Sequence, residues 1–246
     1  MYIKARKIII NADDFGMSVD ANKAIVEAFE MNVISSTTVM ANMPGFREAC
    51  ELAHRHGLIG KVGVHLNLTS GYPLTDSIRE CSQFCDDRGM FRPRQTMFWL
   101  SRKESMAATS EIDAQIKACV DQGLCPTHLD SHHHVHTEWP IGNVVIAVAR
   151  RHGIKAIRLS RNCGPGIGIA HRSYKWAYNT RLKVYGLAKT QYFGSASDVQ
   201  QILAEGFGVI EVMVHLTSEC AEAHTDFRDE NGVERSLLMY DLAAYS

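Results

Sequence analysis

Short apolar runs alternate with amphipathic segments along most of the chain. The runs are rich in aliphatic or β-branched residues and end abruptly in polar ones, as the strands of a parallel sheet do. We interpret six of them as strands, at residues 7–11, 37–40, 62–68, 127–130, 156–159 and 209–214. Apolar residues at helical spacing predict helices between them, at residues 18–29, 48–56, 112–120, 144–151 and 199–205. This alternation predicts an α/β fold whose parallel sheet is either doubly wound or curled into a barrel.

Two segments do not fit the alternation. Residues 71–105 contain many turn residues, and we expect them to form an excursion over one mouth of the sheet. Residues 162–193 begin with a Gly-Pro-Gly turn and continue with basic and aromatic residues, a mixture that suits sugar stacking, a lid or a partner-binding surface. No internal repeat, low-complexity tract or linker divides the sequence, so we predict one domain over residues 1–246.

The composition narrows the functional classes. The 246 residues are 46% hydrophobic and 22% charged, and the formal net charge is −1, so no global field attracts nucleic acid or an anionic membrane. Polar residues interrupt the first apolar run too soon for a signal peptide, and no run has the length of a membrane span. The seven cysteines lack paired spacing, which favours reduced thiols and predicts a cytoplasmic protein.

Residues 127–136 contain five of the twelve histidines of the chain, together with Asp130. Neutral imidazole is the commonest protein ligand of borderline divalent metals, and it also titrates near neutral pH. The run follows a predicted strand and lies inside the chain, where a purification tag would not be. We therefore predict a metal or catalytic centre here, and the alternative is a solvated polar loop.

Further polar residues lie where other predicted strands end. Asp13 and Asp14 follow the first strand, His65 lies near the end of the third, and His215 follows the sixth. The carboxyl ends of parallel strands form the functional edge of α/β folds, so these residues are expected to meet the histidine run. Each has a simpler explanation when it is considered alone: an Asp pair often caps a helix, and a single histidine in an apolar strand is usually a hydrogen-bonded core residue.

Together these motifs resemble, in order and spacing, the YdjC-like carbohydrate deacetylases, a group that includes chitooligosaccharide deacetylase. The matching segments are residues 11–16, 35–38, 63–69, 126–136 and 211–215. The resemblance implies a distorted (β/α) barrel related to NodB-type polysaccharide deacetylases. It also implies an enzyme, often a homodimer, that uses a divalent metal to hydrolyse the N-acetyl group of an amino sugar or a short N-acetylated oligosaccharide.

Carried over position by position, the resemblance assigns Asp14, His65 and His132 as metal ligands. It assigns Asp13 as the general base and His215 as the general acid. A metal with three protein ligands and open positions can activate water and polarise an amide carbonyl, and this suits the proposed hydrolysis.

Two further residues are candidates for binding the substrate. Arg158, at the end of the fifth predicted strand, is expected either to contact the substrate or to form a structural ion pair. His136 is expected to touch a sugar hydroxyl or to orient a ligand, and it is the substitute ligand if His132 points away.

The resemblance gives magnesium as the metal, whereas two imidazoles and one carboxylate suit zinc, cobalt or nickel better. Leu216 and Thr217 stand where the family has a proline after the last histidine, and the tail over residues 235–246 is short. We therefore expect a barrel that is incompletely closed at the end of the chain. These features leave the identity of the sugar and the oligomeric state open.

Two rival functions remain at this point. A metal-dependent phosphoesterase would use similar ligands and would also need cationic groups, which Arg158, Arg161 and Arg172 can supply. A non-catalytic sugar-binding or regulatory protein would retain the metal site without turnover, and the altered end of the chain suggests it. Convergence of the three arginines on the metal would favour the phosphoesterase.

Overall fold

The computed structural model describes residues 7–94, 96–163, 168–195, 198, 208–216 and 241–245, and it contains one parallel sheet. The strand order is β4-β3-β2-β1-β6-β5, and β7 pairs with the first residues of β1. The strands are β1 (Lys7–Phe15), β2 (Ser36–Val39), β3 (Val62–Leu66), β4 (Leu129–Ser131), β5 (Tyr192–Ser195), β6 (Val209–Val214) and β7 (Asp241–Leu242). The α/β fold with a parallel sheet is therefore confirmed.

Helices cover the outer face of this sheet. They are α1 (Val19–Glu30), α2 (Phe46–Arg55), α3 (Asp76–Arg79), α4 (Arg102–Asp121), α5 (Trp139–Arg151) and α6 (Ile169–Val184), with 3-10 turns at Ile59–Lys61 and His132–Thr137. The predicted start of α1 is confirmed, because the Ser18 hydroxyl accepts a hydrogen bond from the Ala21 amide. The predicted helix over residues 199–205 lies outside the described residues. None of the helices in the described ranges has the length and apolarity that a membrane span requires.

The predicted fifth strand, residues 156–159, is wrong as a strand, although its backbone has an important position. It makes a single bridge to β4, between Leu129 and Ile157. Parallel pairing cannot continue, because β4 ends at Ser131 and the chain turns there into the histidine run. Further along, the amide of Asn162 donates to the carbonyl of Phe193 on β5. This irregular segment thus spans the gap between the two edge strands and gives a distorted barrel.

The two faces of β1 pack against different surroundings. Ile8, Ile10 and Ala12 belong to the large apolar core between the sheet and the helices. On the inner face, Ile9 belongs to a small apolar cluster with Ala156 and Tyr245. Asn11 and Asp13 follow Ile9 on that face, so the interior of the barrel changes from apolar to charged toward the carboxyl ends of the strands.

The two unassigned segments contain helices that the sequence patterns did not reveal. Residues 71–105 include α3 and the start of α4, and the buried carboxylate of Glu111 accepts hydrogen bonds from the amides of Leu74 and Thr75. Residues 162–193 include α6, which begins with exposed residues and becomes buried at Tyr178 and Leu182.

Candidate active site

Three residues predicted as metal ligands come together at the carboxyl edge of the sheet. Asp14 lies at the end of β1, His65 on β3, and His132 directly after β4. The Asp14 Oδ1 atom is 3.0 Å from His132 Nδ1 and 3.2 Å from His65 Nε2. One donor atom from each residue lies within 4.8 Å of the other two. This set of two nitrogens and one oxygen can hold a single divalent ion, with positions left open for other ligands.

The backbone around the cluster takes conformations that non-glycine residues rarely adopt. The φ angles of Asp14, His133 and His134 are 67°, 52° and 56°, all in the left-handed region. Such residues persist where the surroundings hold them, and they cluster at functional sites. Here the turn after Asp14 is held by Asn22, whose side-chain oxygen accepts a hydrogen bond of 2.7 Å from the amide of Gly16.

Hydrogen bonding fixes which nitrogen of His65 is available to a metal. Its Nδ1 lies 2.7 Å from Asp130 Oδ1, and because an ionised carboxylate only accepts, Nδ1 carries the hydrogen. The hydroxyl of Thr38 donates to the other Asp130 oxygen at 3.0 Å and holds that carboxylate in place. The Nε2 atom of His65 is buried and faces Asp14, whose Oδ1 lies 3.2 Å away. A histidine whose Nδ1–H donates to a carboxylate while its Nε2 faces the other ligands is the usual arrangement of a metal-binding histidine.

The ionisation of these residues also fits a cation. Burial lowers the pKa of His65, but the carboxylates of Asp130, Asp14 and Asp13 outweigh this effect and raise the pKa to about 10. Burial raises the pKa of Asp14, while hydrogen bonds and charge from His132 and His65 bring it well below its usual range. The pocket therefore concentrates negative charge that holds a proton on His65, and a divalent ion can take the place of that proton.

A buried network of charges lies directly beneath this cluster. The Arg158 guanidinium is fully buried and donates two hydrogen bonds of 2.7 Å to the two carboxylate oxygens of Asp13. Its Nε donates to Glu211 Oε1 at 2.6 Å, and its Nη1 lies 2.7 Å from Asp130 Oδ2. Three carboxylates thus share one guanidinium, which leaves excess negative charge next to the candidate metal ligands.

The positions of Arg158 and His136 differ from the expectation that they bind substrate. Arg158 has no exposed surface, and its donors face carboxylates inside the barrel, which corresponds to the structural ion pair considered as its alternative. His136 is also fully buried: its Nδ1 lies 2.6 Å from the hydroxyl of Ser131, and its Nε2 lies 3.2 Å from the carbonyl oxygen of Arg158. Both are far better placed to support the site than to contact a sugar.

Asp13 is held as an anion beside the cluster. Its carboxylate is buried and accepts a further hydrogen bond of 2.8 Å from the Asn11 side chain. Burial raises the pKa of Asp13, but the guanidinium of Arg158 brings it well below its usual range. His215 follows β6, whose residue Val214 pairs with Ala12 in the sheet, so the exposed His215 side chain emerges at the same edge.

Two residues of the network, Asn11 and Glu211, lie in the segments that carry the family resemblance, but the sequence predictions assigned neither of them a role in the site. Glu211 is the one charged residue in the apolar run of β6. A buried charge requires a partner, so a carboxylate in such a strand signals a cation elsewhere in the chain. The signal does not say which cation, because Glu211 and Arg158 are 53 residues apart.

Comparison with known proteins gives an independent line of evidence. The profile of the YdjC-like protein family matches residues 7–241. The carbohydrate deacetylase of Halalkalibacterium halodurans is 34% identical over 214 residues, which cover 85% of this chain and 84% of that protein. The carbohydrate deacetylase of Vibrio parahaemolyticus is 34% identical over 209 residues, 85% of this chain and 77% of that protein.

Solved structures share the fold of this chain. A candidate cellobiose-phosphate cleavage protein from Enterococcus faecalis superposes with a TM-score of 0.74 at 25% identity and 98% coverage of both chains. The lactam utilization protein of Thermus thermophilus shares the fold, with a TM-score of 0.56 at 15% identity, covering 97% of this chain and all of that chain. The family profile, together with relatives that match over most of their length, confirms the resemblance seen in the motifs: this chain belongs to the YdjC-like family.

Proposed function

We propose that this protein is a metal-dependent carbohydrate deacetylase that hydrolyses the N-acetyl group of an amino sugar or a short N-acetylated oligosaccharide. The observation that carries the proposal is the Asp14–His65–His132 ligand set beside the buried, ionised carboxylate of Asp13. The relatives named carbohydrate deacetylases support the reaction class and the type of substrate.

In this proposal, Asp14, His65 and His132 hold one divalent ion. When bound, such an ion supplies Lewis acidity that polarises an amide carbonyl and acidifies a water molecule. Asp13 accepts the proton of the attacking water, because Arg158 keeps its carboxylate ionised and fixed in orientation. His215, exposed at the same edge, donates a proton to the nitrogen of the departing amine.

Arg158 and His136 are assigned positioning roles in place of direct substrate contacts. Arg158 orients Asp13 through two parallel hydrogen bonds, the geometry that guanidinium and carboxylate groups favour. His136 joins the carbonyl of Arg158 to the hydroxyl of Ser131, so it ties the Arg158 backbone to the end of β4. The sugar is then bound by other groups at the open edge of the barrel.

The chemistry of the ligands bears on the identity of the metal. Two imidazole nitrogens and one carboxylate oxygen favour zinc, cobalt or nickel, whereas magnesium prefers oxygen ligands and retains its waters. The resemblance to the family gives magnesium. We propose that the site accepts both classes of ion and binds zinc more tightly, which a competition titration on metal-free protein would test.

The positions of the arginines do not favour a phosphoesterase. Arg158 is occupied by three carboxylates, Arg161 lies 2.5 Å from Asp198, and Arg172 is exposed on α6. None of the three contacts the Asp14–His65–His132 cluster in the described residues. The remaining predictions, a cytoplasmic homodimer with one domain per chain, stay part of the proposal, and light scattering of the purified protein would test the dimer.

Acetate release from N,N′-diacetylchitobiose tests the function directly. Metal-stripped protein should be inactive, and addition of zinc or magnesium should restore release. Asp14→Asn should bind metal weakly and remain inactive, while Asp20→Asn, which changes an exposed aspartate in the first turn of α1, should behave as the unmodified protein. If metal-loaded protein binds the sugar but releases no acetate from any acetylated amino sugar tested, the non-catalytic sugar-binding function replaces the enzymatic one.

A further inference from the structure

Tyr245 lies in the interior of the barrel, next to the charged network. Its side chain is 5% exposed, and its ring stacks on the ring of His128 with 3.8 Å between centroids and 16° between planes. The phenol hydroxyl donates a hydrogen bond to Glu211 Oε2. Tyr245 therefore connects the segment that leads into β4 with the inner face of β6, across the interior of the barrel.

A continuous series of hydrogen bonds leads from this tyrosine to the proposed general base. One carboxylate oxygen of Glu211 accepts a hydrogen bond from the Tyr245 hydroxyl, and the other accepts one from Arg158 Nε at 2.6 Å. The terminal nitrogens of Arg158 then hold both oxygens of Asp13 at 2.7 Å. All four side chains are buried, so water does not compete for these bonds and each one constrains the next.

Arg158 is also held by Asp130, whose Oδ2 lies 2.7 Å from Arg158 Nη1. In the parts of the chain that the structure describes, the inner apolar cluster consists of Ile9, Ala156 and Tyr245. Phe193 covers the guanidinium from another side, with 4.8 Å between the guanidinium carbon and the ring centroid. The orientation of Arg158 thus depends on its three carboxylate partners, and Glu211 is held on one oxygen by Arg158 and on the other by Tyr245.

The sheet brings Tyr245 to this position. Strand β7 pairs in parallel with the first residues of β1, with Asp241 opposite Lys7 and Leu242 opposite Ile8. The amide of Ala243 then donates to the carbonyl of Ile8 and continues the pairing by one residue. The chain reaches the interior two residues later, at the level of Ile9 and below Asp13.

We propose that Tyr245 is a positioning residue for Asp13: by holding Glu211 with its hydroxyl and His128 with its ring, it keeps Arg158 aligned with the carboxylate of the general base. This inference rests on the proposed deacetylase function. Tyr245 does not touch the substrate in this account. It restricts the orientations of Arg158 that the barrel interior permits, and its loss is expected to affect turnover more than binding.

Tyr245→Phe separates this role from folding, because it retains the stacked ring and removes only the hydroxyl. We expect kcat to fall by about tenfold, as when one hydrogen bond of a buried charged group is lost, with KM and metal affinity unchanged. Glu211→Gln should give a larger loss of kcat by removing the charged partner of Arg158. Tyr192→Phe, on the half-buried strand β5, is the matched control and should retain the kcat of the unmodified protein.

A second readout does not depend on activity. A buried Arg158 Nε–H that donates to a carboxylate gives a resolved signal in a proton–nitrogen NMR spectrum. The signal is assigned to Arg158 because it is absent from the spectrum of Arg158→Lys. Tyr245→Phe should shift this signal in metal-free protein, and Tyr192→Phe should leave it in place. A shifted signal with reduced kcat supports the proposal, whereas an unshifted signal or a kcat within twofold of the unmodified protein overturns it.

The two readouts also separate this inference from the proposed function. If the unmodified protein releases no acetate, the deacetylase function fails, and the NMR signal alone then tests whether Tyr245 controls Arg158. If the Arg158 signal shifts in Tyr245→Phe, Tyr245 positions Arg158 even though the protein has another function. If the signal does not shift, the inference about Tyr245 is wrong as well.

Discussion

The two faces of strand β1 follow different physical rules, although they alternate residue by residue along the same backbone. On the outer face, Ile8, Ile10 and Ala12 pack into the large apolar core under the helices. On the inner face, Asn11 and Asp13 belong to a network of hydrogen bonds and charges. The outer face stabilises the fold through apolar burial, which depends on volume and shape, whereas the inner face depends on matched charges.

Because of this difference, we expect the fold to tolerate substitutions on the outer face of β1 better than substitutions on the inner face. An apolar core accepts replacements of similar volume, because dispersion and burial do not depend on particular partners. A buried charge network does not, since removal of one member leaves the others unpaired in a medium that solvates them poorly.

Arg158→Met should have the largest effect. Methionine fills a similar volume but leaves Asp13, Asp130 and Glu211 without their shared cation, so we expect the free energy of unfolding to fall by about 5 kcal/mol, the upper end for a broken buried ion pair. Arg79→Met is the matched control, because Arg79 pairs with Asp76 and the two side chains are 45% and 88% exposed. We expect about 0–1 kcal/mol there. Urea unfolding of both variants measures the difference, and equal losses would show that the inner face does not depend on matched charges.

The second prediction concerns pH and the metal-free protein. The pKa of His65 in the folded protein is raised from 6.5 to about 10, mainly by Asp130 against the opposing effect of burial. Its protonated form therefore contributes stability that is fully present below pH 6.5 and is lost as the pH rises toward 10. The loss is at most about 1.4 kcal/mol for each pH unit.

Thermal unfolding of the metal-free protein across this pH range measures the effect. His65→Asn isolates it, because the variant should lack this part of the pH dependence while other groups still titrate. Added zinc should replace the proton and flatten the profile of the unmodified protein. A metal-free protein whose stability relative to His65→Asn does not change with pH would show that the carboxylates do not hold a proton on His65.

The strands of the sheet could be predicted from the sequence where the side chains on one or both faces of the strand are all apolar. Strand β6 was predicted with its observed bounds, residues 209–214, because its apolar run ends sharply at His215. The predicted fifth strand had the same composition, but its partner β4 stops after three residues, which no local pattern records. Helix α6 was not predicted, since its exposed first half mixes aromatic and basic residues without a clear apolar stripe.

The candidate site could be predicted in part for a similar reason. Asp14, His65 and His132 each follow or end a strand, so the topology of a parallel sheet is enough to bring them together. Arg158 could be predicted only as either a substrate contact or a structural ion pair, because its partner Asp13 lies 145 residues away in the sequence. Charge pairing inside the barrel depends on which strands curl toward each other, and this is a property of the complete fold.

A third prediction tests the apolar face alone. Ile10→Ala should lower the free energy of unfolding by about 3 kcal/mol, because the fully buried side chain leaves a cavity against the helices. The folded fraction should keep its kcat within about twofold, since the inner face of β1 is unchanged. Val19→Ala, at a position on α1 that is 62% exposed, should change stability by less than about 0.5 kcal/mol. A large loss of kcat in folded Ile10→Ala would mean that the outer core also sets the position of Asp13.

The smallest effect on stability, and the sharpest separation of stability from catalysis, is expected at His215. Its side chain is exposed, so His215→Asn should change the free energy of unfolding by less than about 0.5 kcal/mol. As the proposed general acid it should nevertheless lower kcat by about a hundredfold, with KM little changed. His56→Asn, another exposed histidine at the end of α2, should alter neither quantity. The division of the effect between kcat and KM is the decisive measurement, because a histidine that only contacts the sugar would raise KM and leave kcat near that of the unmodified protein. That outcome would assign proton donation to another group at the barrel edge while retaining Asp13 and the metal ligands in their roles.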